Sequence, residues 1–246
     1  MRTLLVCLLL LLPASVAAEP PPNPPSNFDT AKAIARDKIY VDHRTTLYCG
    51  CDYEPATSRS GGVIEPSACG YEVRMSETRG ARLEWEHIMP ASEFGHLRTC
   101  WRLGHPDCVK DGKLFKGRRC CGKSGVDPEF RRMEADLHNL VPSVGELNGD
   151  RSNHPYGIIE GEPREYGACD FEVGGSPKVA EPSESVRGDV ARVWLYMSET
   201  YNVRLSRDER MTLQAWSASD PPDEWELLRN TRIEAEQGNR NPFVKP

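Results

Sequence analysis

Nine cysteines do most to constrain how this chain can fold, and the first of them stands apart from the rest. Cys7 lies in an N-terminal stretch where Met1-Arg2 precedes an apolar run from Leu4 to Leu12, then Pro13 and small residues at Val16 and Ala18. That order is the layout of a secretory signal, with cleavage expected after Ala18. Cys7 follows Val6 inside the apolar run rather than a small residue at its end, so a lipoprotein anchor is rejected. The run is too short to span a bilayer and nothing later approaches that length, so no membrane span is expected. Eight cysteines remain: Cys49, Cys51, Cys69, Cys100, Cys108, Cys120, Cys121 and Cys169. An even number in an exported chain argues for up to four disulfides, with their connectivity left open. Cys49-x-Cys51 and the adjacent Cys120-Cys121 lack the spacing of a zinc site. Folding is therefore expected in an oxidising compartment, periplasmic or extracellular.

Residues 19–27 are a Pro-rich lead-in, expected to be stiff and extended with no core of its own. Beyond it no linker or internal repeat is visible, and 28–246 reads as one domain. Phe28, Ala31, Ile34, Ala35 and Ile39 have helical spacing. A strand at 71–75 and another at 82–88 are expected to flank a hairpin turn at Glu77-Thr78-Arg79-Gly80. Residues 91–127 carry four cysteines and little periodicity, as a long functional loop does. A helical turn is expected at 129–134, a short strand at 137–142, and a helix opened by the capping box Ser143-x-x-Glu146. A strand is expected around 169–173. Three helices should close the chain, one with its apolar face from Val186 to Tyr201, one capped by Ser206-x-x-Glu209, and one from Asp223 to Gly238.

The net charge of −6 speaks against a polyanionic partner, but the charge is uneven. From Arg98 to Arg132 there are ten basic residues against four acidic ones, so this loop alone carries +6. Local potential, not net charge, steers a phosphate backbone.

Within Leu83-Glu84-Trp85-Glu86-His87, a strand alternates Glu84 and Glu86 against Trp85 and His87. A histidine beside a carboxylate offers a base and a metal ligand, and strand twist or a bend before Pro90 can bring both to one rim. The order strand, basic loop, strand and helix resembles the ββα-metal, or His-metal finger, motif of nucleases. Leu83-Glu84-Trp85-Glu86-His87, Met133-Glu134-Ala135-Asp136-Leu137-His138-Asn139-Leu140, Gly145-Glu146-Leu147-Asn148-Gly149-Asp150-Arg151 and Gln237-Gly238-Asn239-Arg240-Asn241-Pro242-Phe243 resemble, in this order, the endonuclease I family of bacterial nucleases. The resemblance covers 28–246.

It implies an α+β domain with a ββα-metal core, surrounding helices and disulfide-tied loops. It implies His87 as general base, Glu86 and Asn148 as ligands of one divalent cation, and a supporting active-site role for Glu134. Mg²⁺ is the expected ion, with Mn²⁺ or Ca²⁺ allowed by the same oxygen ligands. Family members carry a phosphate-stabilising arginine three residues before the cysteine matching Cys108. Here that position is His105, so His105, or Arg102 or Arg98 from the same loop, is expected to take the part. Arg98, Arg102, Lys116, Arg118 and Arg119 are the expected nucleic-acid contacts. His138 and Asn139 are read as pairing with backbone near the second strand. The expected substrate is DNA, and RNA as well, cut by a monomer with little regard to sequence. The rival is an exported nucleic-acid-binding module of the same fold that has lost catalysis.

Overall fold

The computed structural model describes residues 19–56, 61–161 and 163–246, and the expected signal segment 1–18, Cys7 included, lies outside them. In chain order, α1 (Phe28–Ile34) runs into a π-helical turn (Ala35–Ile39), and β1 (Tyr53–Pro55) and β2 (Gly62–Ile64) follow. The short α2 (Glu77–Gly80) leads into β3 (Arg82–His87). The long loop holds α3 (Ala91–Gly95), α4 (Thr99–Arg102), the paired β4 (Val109–Lys110) and β5 (Lys113–Leu114), and α5 (Arg118–Cys121). Then come α6 (Pro128–Glu134), β6 (Leu140–Val144), α7 (Gly145–Arg151), β7 (Phe171–Gly174) and β8 (Val179–Pro182). Helices α8 (Arg187–Tyr201), α9 (Arg207–Ser219) and α10 (Glu224–Gln237) complete the α+β architecture. Among the described residues, no helix is long and apolar enough to cross a membrane.

The main sheet has the order β1-β2-β3-β6, antiparallel throughout. β3 pairs with β6 from Leu83↔Val144 to His87↔Leu140, whereas β2 reaches only Arg82 and Leu83. From Trp85 onward β3 therefore has one edge free of strand pairing. α7 follows β6 without a break and packs against β3, which completes the strand–strand–helix unit. Alternation along β3 separates two environments. Trp85 packs on Tyr40 beyond α1, with ring centroids 5.4 Å apart, while Glu84 and Glu86 meet side chains of α7.

Three local expectations change. Residues 71–75 form no strand, and the neighbour of β3 is β2 instead. The backbone N–H groups of Arg74, Met75 and Ser76 all donate to the buried Glu146 carboxylate, which holds this segment as a turn. That use of Glu146 also removes the predicted capping box: α7 begins after Val144, and the Ser143 hydroxyl donates to the Val144 carbonyl. The strand expected at 137–142 starts later, because Asp136 caps a 3₁₀ turn over Leu137–Asn139 by accepting from His138 N–H. The closing helices form as read, with the Ser206–Glu209 capping box complete and Gly238 left-handed at the end of α10 (φ 88°).

The Pro-rich lead-in is not free of the body. Pro21 and Pro25 are buried, Asn23 N–H donates to the Gln237 carbonyl at 3.1 Å, and Asn239 Nδ2 donates to the Glu19 carbonyl at 2.8 Å. The Gln237–Asn241 motif that reads as a signature is thus a buried clamp. Gln237 bonds Leu137 N–H and Asp136, and Asn239 bonds the Tyr196 hydroxyl.

All eight expected cysteines are bonded, as Cys49–Cys169, Cys51–Cys69, Cys100–Cys121 and Cys108–Cys120. Two of these bridges lie within the basic loop, which explains how a stretch with little periodicity holds one shape.

Candidate active site

His87 ends β3 beside the unpaired edge, and its ring is almost fully buried. Nε2 lies 2.7 Å from the main-chain oxygen of Glu134 at the end of α6. A carbonyl can only accept, so Nε2 carries the proton and Nδ1 is left as the basic nitrogen. Phe28 covers the ring from α1 at 4.8 Å between centroids. Burial pushes the imidazole down to about 3, and the Arg118 charge acts in the same direction. The ring is therefore neutral at ordinary pH, with Nδ1 unprotonated.

His87 and Asn148 line one cleft of about 500 Å³, together with Trp101, Arg118, Arg151 and Asn153. The cleft opens along the free edge of β3, where Trp85 and His87, on one face of the strand, meet side chains of α7 and the basic loop. Arg151 fixes the corner. It is buried, and its guanidinium donates to the carbonyls of His87 (2.9 Å) and Ile88 (2.5 Å) while lying 3.3 Å from Glu86. Asn139 holds the next residue, Met89, from the 3₁₀ turn before β6, accepting from Met89 N–H at 2.7 Å and donating to its carbonyl at 3.0 Å. His138 packs on Tyr196 and faces the Asn239 carbonyl, so both residues act on structure as read.

Glu86 does not line that cleft. It lies behind the wall, 1% exposed, where Oε1 accepts from the Tyr48 hydroxyl at 3.2 Å and forms an ion pair with Arg151 Nη1 at 3.3 Å. Oε2 is buried with no hydrogen-bond partner. Burial pushes this carboxyl up to about 7, against the lowering effects of Arg151 and Tyr48. Asn148, on the same helix as Arg151, donates its Nδ2 to Glu84 Oε2 at 2.9 Å, so its oxygen is the free end. The seam between β3 and α7 therefore carries an orphaned carboxylate oxygen and a free amide oxygen. Both are hard donors, which fits a divalent cation such as Mg²⁺. The only group of three His, Cys, Asp or Glu donor atoms near one another among the described residues is Cys100, Cys121 and Asp127. Its two sulfurs are tied to each other, so it offers no metal site.

Arg118 supplies the basic wall of the cleft. Its Nε donates to Glu134 Oε1 at 2.7 Å and its guanidinium lies over the Phe28 ring at 4.9 Å. It lines both the His87 cleft and an adjoining hollow of about 690 Å³ that holds Arg119 and Arg131. Glu134 thus orients two groups at once, His87 through its carbonyl and Arg118 through its carboxylate.

His105 is corrected. It sits in a different hollow with Arg98, where its Nδ1 accepts from Asp107 N–H at 3.2 Å, and does not line the His87 cleft. Arg98 is corrected as a nucleic-acid contact, because Asp127 and Glu129 both neutralise it (2.8 Å to Glu129). Arg102, Lys116 and Arg119 are exposed and form no ion pair with any described residue. Arg118 also stands three residues before a cysteine, Cys121, as His105 does before Cys108, and of the two it is Arg118 that lines the His87 cleft. Glu84 and Arg151 lie within the quoted motifs and Phe28 opens the first helical pattern, but nothing local tells what they touch. Each acts through a tertiary contact with a strand or helix far along the chain.

Comparison with known proteins is consistent with this geometry. The model of the family described as Endonuclease I matches residues 28–246. A periplasmic deoxyribonuclease of Aeromonas hydrophila is 42% identical over 224 residues, covering 88% of this chain and 85% of that protein. An extracellular deoxyribonuclease of the same organism is 40% identical over 245 residues, 98% of this chain and 95% of the other. An Endonuclease-1 of Buchnera aphidicola subsp. Acyrthosiphon pisum is 38% identical, covering 89% of this chain and 80% of the relative.

Proposed function

The chain belongs to the endonuclease I family, and on that premise we propose that it is an exported nuclease that hydrolyses internal phosphodiester bonds with the help of a divalent cation. One observation carries the mechanism: His87 has Nε2 committed to a main-chain carbonyl and Nδ1 left as a neutral base at a cleft that also holds Arg118 and Asn148. His87 takes a proton from the attacking water at Nδ1. Arg118, held by Glu134, donates to a non-bridging phosphate oxygen as negative charge develops there. Arg151 keeps the His87–Ile88 backbone in place and so fixes the base relative to Arg118. Glu86 and Asn148 would hold the cation, which would supply stabilisation of charge on the phosphate and the leaving 3′ oxygen. Mg²⁺ is the proposed ion, and Mn²⁺ or Ca²⁺ share its ligand preference.

Substrate recognition rests on phosphate contacts, so cleavage is insensitive to sequence and weakens with salt. DNA is the proposed substrate, on the strength of the deoxyribonuclease names of the relatives. RNA is proposed as a second one, because a phosphate-reading cleft does not separate the two polymers. The leader-like N-terminus, four disulfides and periplasmic or extracellular relatives support action outside the cytoplasm. The test is nicking of supercoiled plasmid by the mature protein with Mg²⁺, its arrest by EDTA, and its loss in His87→Ala. Binding without cleavage under every divalent metal would sink the enzyme reading and favour a binding module.

A further inference from the structure

The basic loop carries a device that the cleft itself does not use. Cys108 opens it, and β4 and β5 follow as a two-stranded hairpin closed by Asp111-Gly112. Both turn residues are left-handed (φ 51° and 72°), the geometry an Asp-Gly turn adopts when it joins two twisted strands. The Cys108–Cys120 bond ties the base of the hairpin, and Phe115 N–H donates to the Cys108 carbonyl at 2.8 Å. The tip is exposed but its stem is covalently held.

Lys110 and Lys113 stand directly opposite each other in this hairpin. Like charges in register destabilise a strand pair. Both are exposed, and neither forms an ion pair with any described residue. An uncompensated pair on a rigid stem is explained if an anion lies across it. The chain then runs on through Lys116, also exposed and unpaired among the described residues, to Gly117, whose N–H donates to the Trp101 carbonyl at 3.1 Å. The next residue is Arg118, and Trp101 and Arg118 both line the cleft. The hairpin therefore hangs from the cleft wall, and Lys113, Lys116 and Arg118 follow one another from tip to cleft. Five residues span at most about 17 Å, which is about five base-pair steps of duplex at ~3.4 Å each.

We propose that the β4–β5 hairpin is a phosphate-backbone-binding arm that grips nucleic acid beside the scissile bond and supplies affinity rather than chemistry. The assignment of the partner rests on the nuclease reading of the cleft. Ammonium groups are point charges with no fork to read a base, so the grip is independent of sequence.

The test compares wild type with Lys110→Ala/Lys113→Ala and with Lys110→Arg/Lys113→Arg. Binding of a fluorescein-labelled DNA duplex is measured by anisotropy in EDTA across a range of KCl, and turnover of a small p-nitrophenyl phosphodiester is measured with Mg²⁺. In the alanine variant, Kd for the duplex should rise several-fold and the slope of log K against log salt should fall by about 1 to 2. The arginine variant should keep both near wild type, and the small diester, too short to reach the arm, should be turned over equally by all three. An unchanged Kd and salt slope in the alanine variant overturns the proposal. Loss of small-diester turnover in that variant overturns it too, because the lysines would then act on the cleft. The nuclease reading is judged separately, by whether wild type turns over any substrate, and the binding readout does not depend on that outcome.

Discussion

Asn148 donates its Nδ2 to Glu84 Oε2 at 2.9 Å, from the same helix on which Arg151 meets Glu86. An amide whose nitrogen is held in this way presents its oxygen in one direction only. On the proposal that Asn148 Oδ1 faces the metal, Glu84 would be a positioning residue. Glu84→Ala should weaken Mn²⁺ or Mg²⁺ affinity on the order of tenfold or more by calorimetry, while Glu84→Gln, which can still accept from Nδ2, should retain most of it. The Arg79 and Arg82 pairs of Glu84 lie near the surface, so little stability should be lost with them. Equal metal affinity in Glu84→Ala and wild type would contradict the assignment.

Replacing His87 tests the base directly. His87→Ala should lower plasmid nicking by on the order of 10²- to 10⁴-fold while leaving duplex binding in EDTA nearly unchanged. A variant that still nicks at near wild-type rate would assign proton transfer to another group.

Arg118 and Glu134 form one unit at 2.7 Å. Arg118→Ala should lower turnover by on the order of 10²- to 10³-fold, the effect of losing one donor to a developing oxyanion. Glu134→Gln should have a smaller effect, since its main-chain carbonyl still holds His87. His105→Ala should change turnover little, and a large loss there would restore the role that its distance from the cleft removes.

Acid sensitivity follows from His138. Burial pushes its ring down to about 4, with the Asn239 carbonyl 3.2 Å from Nε2. The unfolded chain binds a proton below its ordinary value of about 6.5 that the folded chain does not bind until about pH 4. This contribution is therefore complete above about 6.5 and is lost as pH falls toward 4, by about 1.4 kcal/mol per pH unit. Urea unfolding of His138→Gln should show a shallower loss of stability between about pH 7 and pH 5 than the parent. Parallel curves would exclude His138 as a source of the slope.

The paired bridges Cys100–Cys121 and Cys108–Cys120 enclose the segment that ends in Arg118 and Cys121. The short Cys108–Cys120 loop should contribute about 3 kcal/mol by chain entropy. Reduction, or Cys108→Ser/Cys120→Ser, should depress both thermal stability and nicking. Full activity in strong reductant would mean that the loop holds Arg118 in place without its bridges.

Much of the frame was legible because the signals were local. The Ser206–Glu209 box, the Asp223 cap and Gly238 settle helix ends through bonds within a few residues. The alternation of Glu86 and His87 also held, since the period of a strand leaves no choice. Predictions failed where a distant partner took a group that local rules had assigned. Glu146 left its capping box for three backbone N–H groups at 74–76, and the terminal Gln237–Asn241 motif became a clamp on the first residues of the body.

The Glu86-His87 strand and the disulfide-rich character of the chain were determined by the sequence alone, because residue identity, short-range periodicity and cysteine parity carry them. Tertiary structure alone decided which arginine faces the base, which nitrogen of His87 is free, and that Glu84 aims the Asn148 amide. Those answers depend on β3 having one unpaired edge and on two disulfides folding a basic loop so that Arg118, and not His105, comes to the cleft.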